Sequence, residues 1–251
     1  MKNIIIANWK MYYGPVKAGA WVRAFRRERL PKDLEVAVAA PFISLPAVRA
    51  TLGRALAPVL AAQDAFWANE GAYTGEVSPT MLLELGVSYC LVGHSERRHI
   101  MGETDEMVAK KARALQLAGI SPVICVGETE VERRRGNSKK VVRQQVQKAV
   151  EGIKGDGKAP AIIAYEPVWA IGSGKPCSAY DAREMHETIR TVLKKKFGST
   201  ADAIRIIYGG SVDTRNILEF LTTTDVDGAL VGGASLDPRA FGLLCRAAVP
   251  S

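Results

Sequence analysis

The sequence predicts an α/β protein folded as a single (β/α)8 barrel, one domain over residues 1–251. Short apolar runs recur at residues 4–7, 36–40, 59–62, 87–92, 123–126, 162–165, 204–208 and 229–231. They are continuous rather than alternating, as strands buried on both faces of a parallel sheet must be. Amphipathic segments with helical spacing separate them, most clearly at residues 16–30, 104–118, 129–153, 178–197 and 213–221. Such alternation makes either an open doubly wound sheet or a closed barrel, and eight units in about 250 residues fit the barrel. No linker or low-complexity stretch divides the chain. Reactive side chains follow the runs, which is where a barrel gathers its site.

The first run leads to Asn8 and Lys10. A lysine there is by default a surface charge. Aimed into a barrel mouth, it attracts an anion and stabilises a developing oxyanion, with Asn8 placed to orient it. The fourth run leads into Gly93-His94-Ser95-Glu96-Arg97-Arg98, a strand end followed by the first turn of a helix. A helix N-terminus disfavours a cation, so His94 is expected to be a neutral imidazole able to polarise a carbonyl or enediolate oxygen. Glu96 is open to pairing with Lys10 or Arg97, or to positioning His94. His99 and His186 fall at helical positions without such a setting. The fifth run is followed by Thr129-x-x-Glu132, the pattern of a capping box. Ser178 and Asp213 are plausible N-caps for the later helices.

The sixth run organises the chain. It ends in Glu166-Pro167, where proline stops the strand. An apolar tip, Val168-Trp169-Ala170-Ile171, follows, and then Gly172-Ser173-Gly174, where backbone can approach a ligand. A stiff end, a water-excluding tip and a supple end make a lid over Glu166. Desolvation strengthens a carboxylate as a base, which suits abstraction of a weakly acidic C–H proton. After the last two runs come Gly209-Gly210-Ser211 and Gly232-Gly233-Ala234-Ser235. Each alone reads as a tight turn. Together, beside Gly172–Gly174, they make a grip for phosphate through converging backbone N–H groups.

Composition narrows the classes further. Apolar residues make up 47% and charged residues 24%, ordinary for a globular protein, and no run approaches a membrane span. A cytoplasmic location is expected. The net charge of +8 lies in runs that coincide with predicted helices and carry no nucleic-acid motif, so solvated helix faces are the reading. Cys90, Cys125, Cys177 and Cys245 are scattered without metal or disulfide spacing, and Cys177, beyond the glycines, is expected to be accessible. The chemistry expected is acid–base work on a small phosphorylated carbonyl compound, with no metal and no organic cofactor.

Long motifs carry a resemblance. Asn8-Trp9-Lys10-Met11, Val92-Gly93-His94-Ser95-Glu96-Arg97-Arg98 and Ala164-Tyr165-Glu166-Pro167-Val168-Trp169-Ala170-Ile171-Gly172 are among them. So are Tyr208-Gly209-Gly210-Ser211-Val212 and Gly232-Gly233-Ala234-Ser235-Leu236. In content and order, over nearly the whole chain, they resemble the triosephosphate isomerases, the enzymes after which the TIM barrel is named. The resemblance implies interconversion of dihydroxyacetone phosphate and D-glyceraldehyde 3-phosphate through an enediol(ate), in glycolysis and gluconeogenesis. It implies Glu166 as the base, His94 as the proton shuttle between the two oxygens, and Lys10, Asn8 and Glu96 as supporting catalytic residues. Asn8, Lys10, Gly172, Ser173, Ser211, Gly232 and Gly233 are implied to bind the substrate.

The resemblance further implies a homodimer. Gln63-Asp64 and the loop Asn69-Glu70-Gly71-Ala72-Tyr73-Thr74-Gly75-Glu76 look like the segment that inserts into a partner beside its active site. Departures from the pattern are Ser173 for the usual Thr, Pro176 at a hinge the family leaves mobile, and Tyr12 for an Asn at the subunit contact. A barrel for a larger sugar or indole phosphate would instead show more polar or aromatic residues at other strand ends and no short aromatic lid. A non-catalytic scaffold would lack Glu166, His94 or Lys10.

Overall fold

The computed structural model describes residues 2–53, 57–155, 158–171, 177–222 and 226–249. Its strands are β1 (Asn3–Asn8), β2 (Leu34–Ala40), β3 (Val59–Ala62), β4 (Tyr89–Val92), β5 (Ser121–Val126), β6 (Ile162–Tyr165), β7 (Arg205–Tyr208) and β8 (Gly228–Val231). Consecutive strands pair in parallel, and β1 also pairs with β8, so the sheet closes into a barrel. The helices are α1 (Pro15–Phe25), α2 (Leu45–Leu52), α3 (Pro79–Glu84), α4 (Ser95–His99), α5 (Asp105–Ala118), α6 (Glu130–Arg134), α7 (Ser138–Ala149), α8 (Ala179–Phe197), α9 (Ile217–Leu221) and α10 (Pro238–Ala247).

Two apolar layers explain why the strands read as unbroken runs. Ile4 and Ile6 of β1 join Ala37, Ala39, Leu91 and Leu230 in a cluster inside the barrel. Ile5 and Ala7, facing the other way, join Trp21, Val22 and Phe25 of α1 and Phe241 of α10 in the layer between barrel and helices. Side chains alternate along a strand, and here both faces are dry. The interior holds small residues such as Ala37, Ala39, Ala61 and Ala164 where opposing strands come close. The N-terminal end of the barrel is closed by polar side chains instead. Arg205 pairs with Glu35 at 2.6 Å, and Tyr89 donates to Glu35 at 2.5 Å while accepting from Arg205 at 2.9 Å. Burial and the Glu35 carboxylate push the Tyr89 hydroxyl up to about 12.

Helix starts follow the local chemistry. Thr129 and Glu132 form the expected capping box, and Ser178 accepts the Asp181 N–H at 3.0 Å to open α8. Elsewhere the boundaries depart from expectation. The segment at 129–153 is two helices, because Gly136 takes φ +71° between α6 and α7. The helix expected over 16–30 ends at Phe25, and Pro31 bars Leu30 from continuing one. Asp213 does not cap α9, whose N-cap is Asn216. Cys177 is buried at 2% exposure rather than accessible, a member of the apolar layer between barrel and helices, and burial pushes its thiol up to about 12. Among the described residues no helix is long and apolar enough to cross a membrane.

Candidate active site

The C-terminal ends of the strands surround a cavity of about 480 Å³. Its wall includes Asn8 and Lys10 after β1, His94 after β4, Glu166 after β6, Gly209 to Ser211 after β7, and Gly232 and Gly233 after β8. Glu96 stands just behind Lys10. Gly172 and Ser173, with Lys175 and Pro176, lie outside the described residues.

Lys10 occupies the left-handed region at φ +48°, rare for a side chain with Cβ. The backbone is held there from two sides: the Asn8 side chain accepts the Lys10 N–H at 3.0 Å, and Gln63 donates to the Lys10 carbonyl at 2.9 Å. Its ammonium then reaches Glu96 at 2.5 Å. Asn8 therefore orients the lysine through its main chain. Of the partners open to Glu96, Lys10 is the one it takes most closely; the His94 ring lies farther off, with Nδ1 3.6 Å from the carboxylate.

Gly93 turns at φ +67° between β4 and α4, where a Cβ would meet Val108 at 2.7 Å. That turn makes His94 the N-cap of α4. The Glu96 backbone N–H donates to His94 Nδ1 at 3.3 Å, so Nδ1 is the acceptor and the proton sits on Nε2. Nε2 faces the cavity 3.1 Å from Glu166 Oε1. The ring thus turns Nε2, and not Nδ1, toward the cavity.

Glu166 is 2% exposed and fixed by its own strand end. Its backbone N–H donates to Val126 at 2.7 Å, while Oε2 accepts the Ser95 N–H at 2.8 Å. Close glycines leave it room. A Cβ on Gly127 would stand 1.7 Å from the Glu166 carbonyl, and one on Gly209 would stand 2.8 Å from its Cγ. Behind the apolar tip lies a second carboxylate, Glu128, fully buried. It accepts from Trp169 Nε1 at 2.9 Å and from the Tyr165 hydroxyl at 3.1–3.2 Å. Arg133 packs 4.1 Å over the Trp169 ring and reaches Asp181 at 3.1 Å. Burial raises the Glu128 carboxyl above its ordinary range.

Ser211 donates to Ala170 at 3.3 Å, joining the glycine turn after β7 to the tip that follows Glu166. On the far side, Gly232 lies against the Lys10 stem, where a Cβ would touch Cε at 3.6 Å. The cavity thus brings together a buried carboxylate, an imidazole, an ammonium and two glycine turns. Such a set can move a proton, stabilise an oxyanion and bind an anion.

Sequence reasoning read Asp213 only as a helix cap and passed over Arg215, both of which line the cavity, and it passed over Glu128. The strand-end rule points to Glu128, which follows β5 directly.

Comparison with known proteins places the chain in a wider group. A family model described as "Triosephosphate isomerase" matches residues 3–248. The chain is 46% identical over 251 residues to the triosephosphate isomerase of Carboxydothermus hydrogenoformans, covering 99% of each chain. It is 46% identical over 241 residues to that of Thermoanaerobacter sp. strain X514, covering 96% of this chain and 97% of that one. It is 43% identical over 250 residues to that of Thermus thermophilus, covering 99% of this chain and all of that one.

Proposed function

The chain belongs to the triosephosphate isomerase family, and we propose that the side chains at its barrel mouth divide that family's reaction among them as follows. The reaction interconverts dihydroxyacetone phosphate and D-glyceraldehyde 3-phosphate, an aldose–ketose isomerisation. Glu166 removes a proton from the carbon beside the carbonyl, and the electron pair moves onto the carbonyl oxygen to give an enediolate. His94 donates from Nε2 to that oxygen, and Lys10 offsets its charge. The neighbouring hydroxyl then gives up its proton to the imidazole, and Glu166 returns its own proton to the second carbon. Asn8 and Glu96 hold Lys10 in place. Gly232, Gly233 and Ser211, with Gly172 and Ser173, bind the phosphate.

The observation that carries this reading is the buried Glu166 carboxylate, 3.1 Å from an imidazole nitrogen that its other contact leaves protonated. A coupled assay of glyceraldehyde 3-phosphate conversion tests it. Wild type should turn over rapidly, and Glu166→Gln should lose about 10²- to 10⁴-fold in kcat, the usual contribution of a positioned base. A variant within tenfold of wild type would remove Glu166 from that role.

We further infer a homodimer through the loop at residues 69–76. Tyr73 there is 48% exposed, and Met11 and Tyr12 beside the active-site lysine are 95% and 62% exposed. Apolar groups of this size flanking a catalytic mouth favour a covering partner. The cytoplasm, as the setting of glycolysis and gluconeogenesis, is the location this function implies.

A further inference from the structure

Beyond the glycines of β7, the turn leading to α9 presents Asp213 and Arg215 on the cavity wall. Arg215 binds Asp213 repeatedly. Its backbone N–H donates to Oδ1 at 2.8 Å, and Nε and Nη2 donate to Oδ2 at 3.0 and 2.5 Å. The turn itself is closed by Asn216, which accepts from the Asp213 N–H at 2.9 Å and donates to the Ser211 carbonyl at 3.2 Å. The guanidinium and backbone hydrogen bonds hold the Asp213 carboxyl below its usual range, so it is ionised whenever the enzyme works.

A carboxylate in that place opposes what the cavity has to do. The incoming ligand is a phosphate dianion, and the same wall already carries Glu166. Lys10, the other cation on the described wall, is engaged with Glu96. Asp213 alone would leave a net repulsive face toward the dianion. Within a screening length of about 8–10 Å, one unit charge acting on a dianion through water is worth about three- to tenfold in affinity. The guanidinium of Arg215 offsets that charge at its source. Its side chain is 88% exposed, so what it supplies is charge rather than packing.

We propose that Arg215 is a specificity-determining residue of the isomerase site: it neutralises Asp213 so that the mouth admits a phosphorylated triose, without itself touching the substrate. The inference rests on reading the cavity as the triose phosphate site. It separates Arg215 from a mere brace of the turn, because alanine keeps the backbone N–H that bonds Oδ1, and Asn216 keeps the turn closed. The variant removes the guanidinium together with its solvent-exposed stem.

The test compares wild type, Arg215→Ala and Arg215→Ala/Asp213→Asn in low-salt buffer. KM for glyceraldehyde 3-phosphate and the calorimetric dissociation constant of inorganic phosphate are measured for each. In Arg215→Ala both should rise about three- to tenfold, with kcat within about twofold, and the gap should close in about 1 M salt. In the double variant both should return to wild-type values. Unchanged constants in Arg215→Ala overturn the proposal. So does a double variant as weak as the single one, which would make Arg215 a direct ligand. A wild type that binds phosphate but does not turn over would strike the isomerase reading alone, since the calorimetry still decides the role of Arg215.

Discussion

His186 shows how burial turns an unused residue into a determinant of stability. It lies in α8 between the ring edges of Tyr165 and Tyr208, wholly buried, and neither ring nitrogen finds a hydrogen-bond partner among the described residues. Burial, helped by the charge of Arg190, pushes its imidazole from 6.5 down to about 3. The unfolded chain therefore takes up a proton below pH 6.5 that the folded chain refuses until about pH 3. Stability is lost as pH falls through that window, by about 2 kcal/mol at pH 5 from this group. Urea unfolding at fixed protein concentration should show the acid slope reduced by about one proton in His186→Gln; an equal slope would contradict the account. The sequence marked His186 only as helical, because its burial depends on two strands distant in the chain. Asn8, Lys10, His94, Glu96 and Glu166 were legible for the opposite reason. Each lies at the C-terminal end of a strand or in the short turn and first helical residues after it, and a closed barrel delivers every such position to one mouth. Cys177 reads as accessible beside its glycines, and only its place in the apolar layer between barrel and helices reveals otherwise.

Among the elements, α6 and α7 give the clearest case of one residue overriding periodicity. The apolar spacing continues across residues 129–153, so the sequence reads as one helix. Gly136 ends α6 with paired bonds: its own N–H donates to the Arg133 carbonyl at 2.9 Å, and the Asn137 N–H to the Glu132 carbonyl at 3.0 Å. That is a Schellman ending, which requires the left-handed region. A Cβ there would meet nothing within 4 Å, so Gly136→Ala probes the backbone alone. It should cost about 1–2 kcal/mol of stability by chemical denaturation. A neutral effect would mean that α6 tolerates another ending. Strands were easier to read than helices, since a run buried on both faces needs no phase, whereas a helix end depends on one cap. The break is of use to the site, because α6 carries Arg133 back over Trp169, three residues beyond Glu166.

For the whole molecule, the barrel separates stability from chemistry by its two ends. Arg205, Glu35 and Tyr89 close the N-terminal end with mutually satisfied polar groups, while the cavity opens at the other. The exposed Met11, Tyr12 and Tyr73 lie on the chemical side, which ties the proposed dimer to the site. Sedimentation at micromolar concentration should give a dimer; a monomer that retains full turnover would remove the partner from the account.

The central claim is that one carboxylate, Glu166, carries a proton from carbon to carbon through an enediolate. The measurement that reaches it most directly is isomerisation of glyceraldehyde 3-phosphate in D₂O, with the product analysed by mass spectrometry and NMR. A proton held on a carboxylate exchanges with solvent, so deuterium should appear on the carbon of dihydroxyacetone phosphate that receives it. Product formed at full rate with no deuterium, by wild type and by Glu166→Gln alike, would mean a direct hydride shift between the carbons, and Glu166 would not be the base.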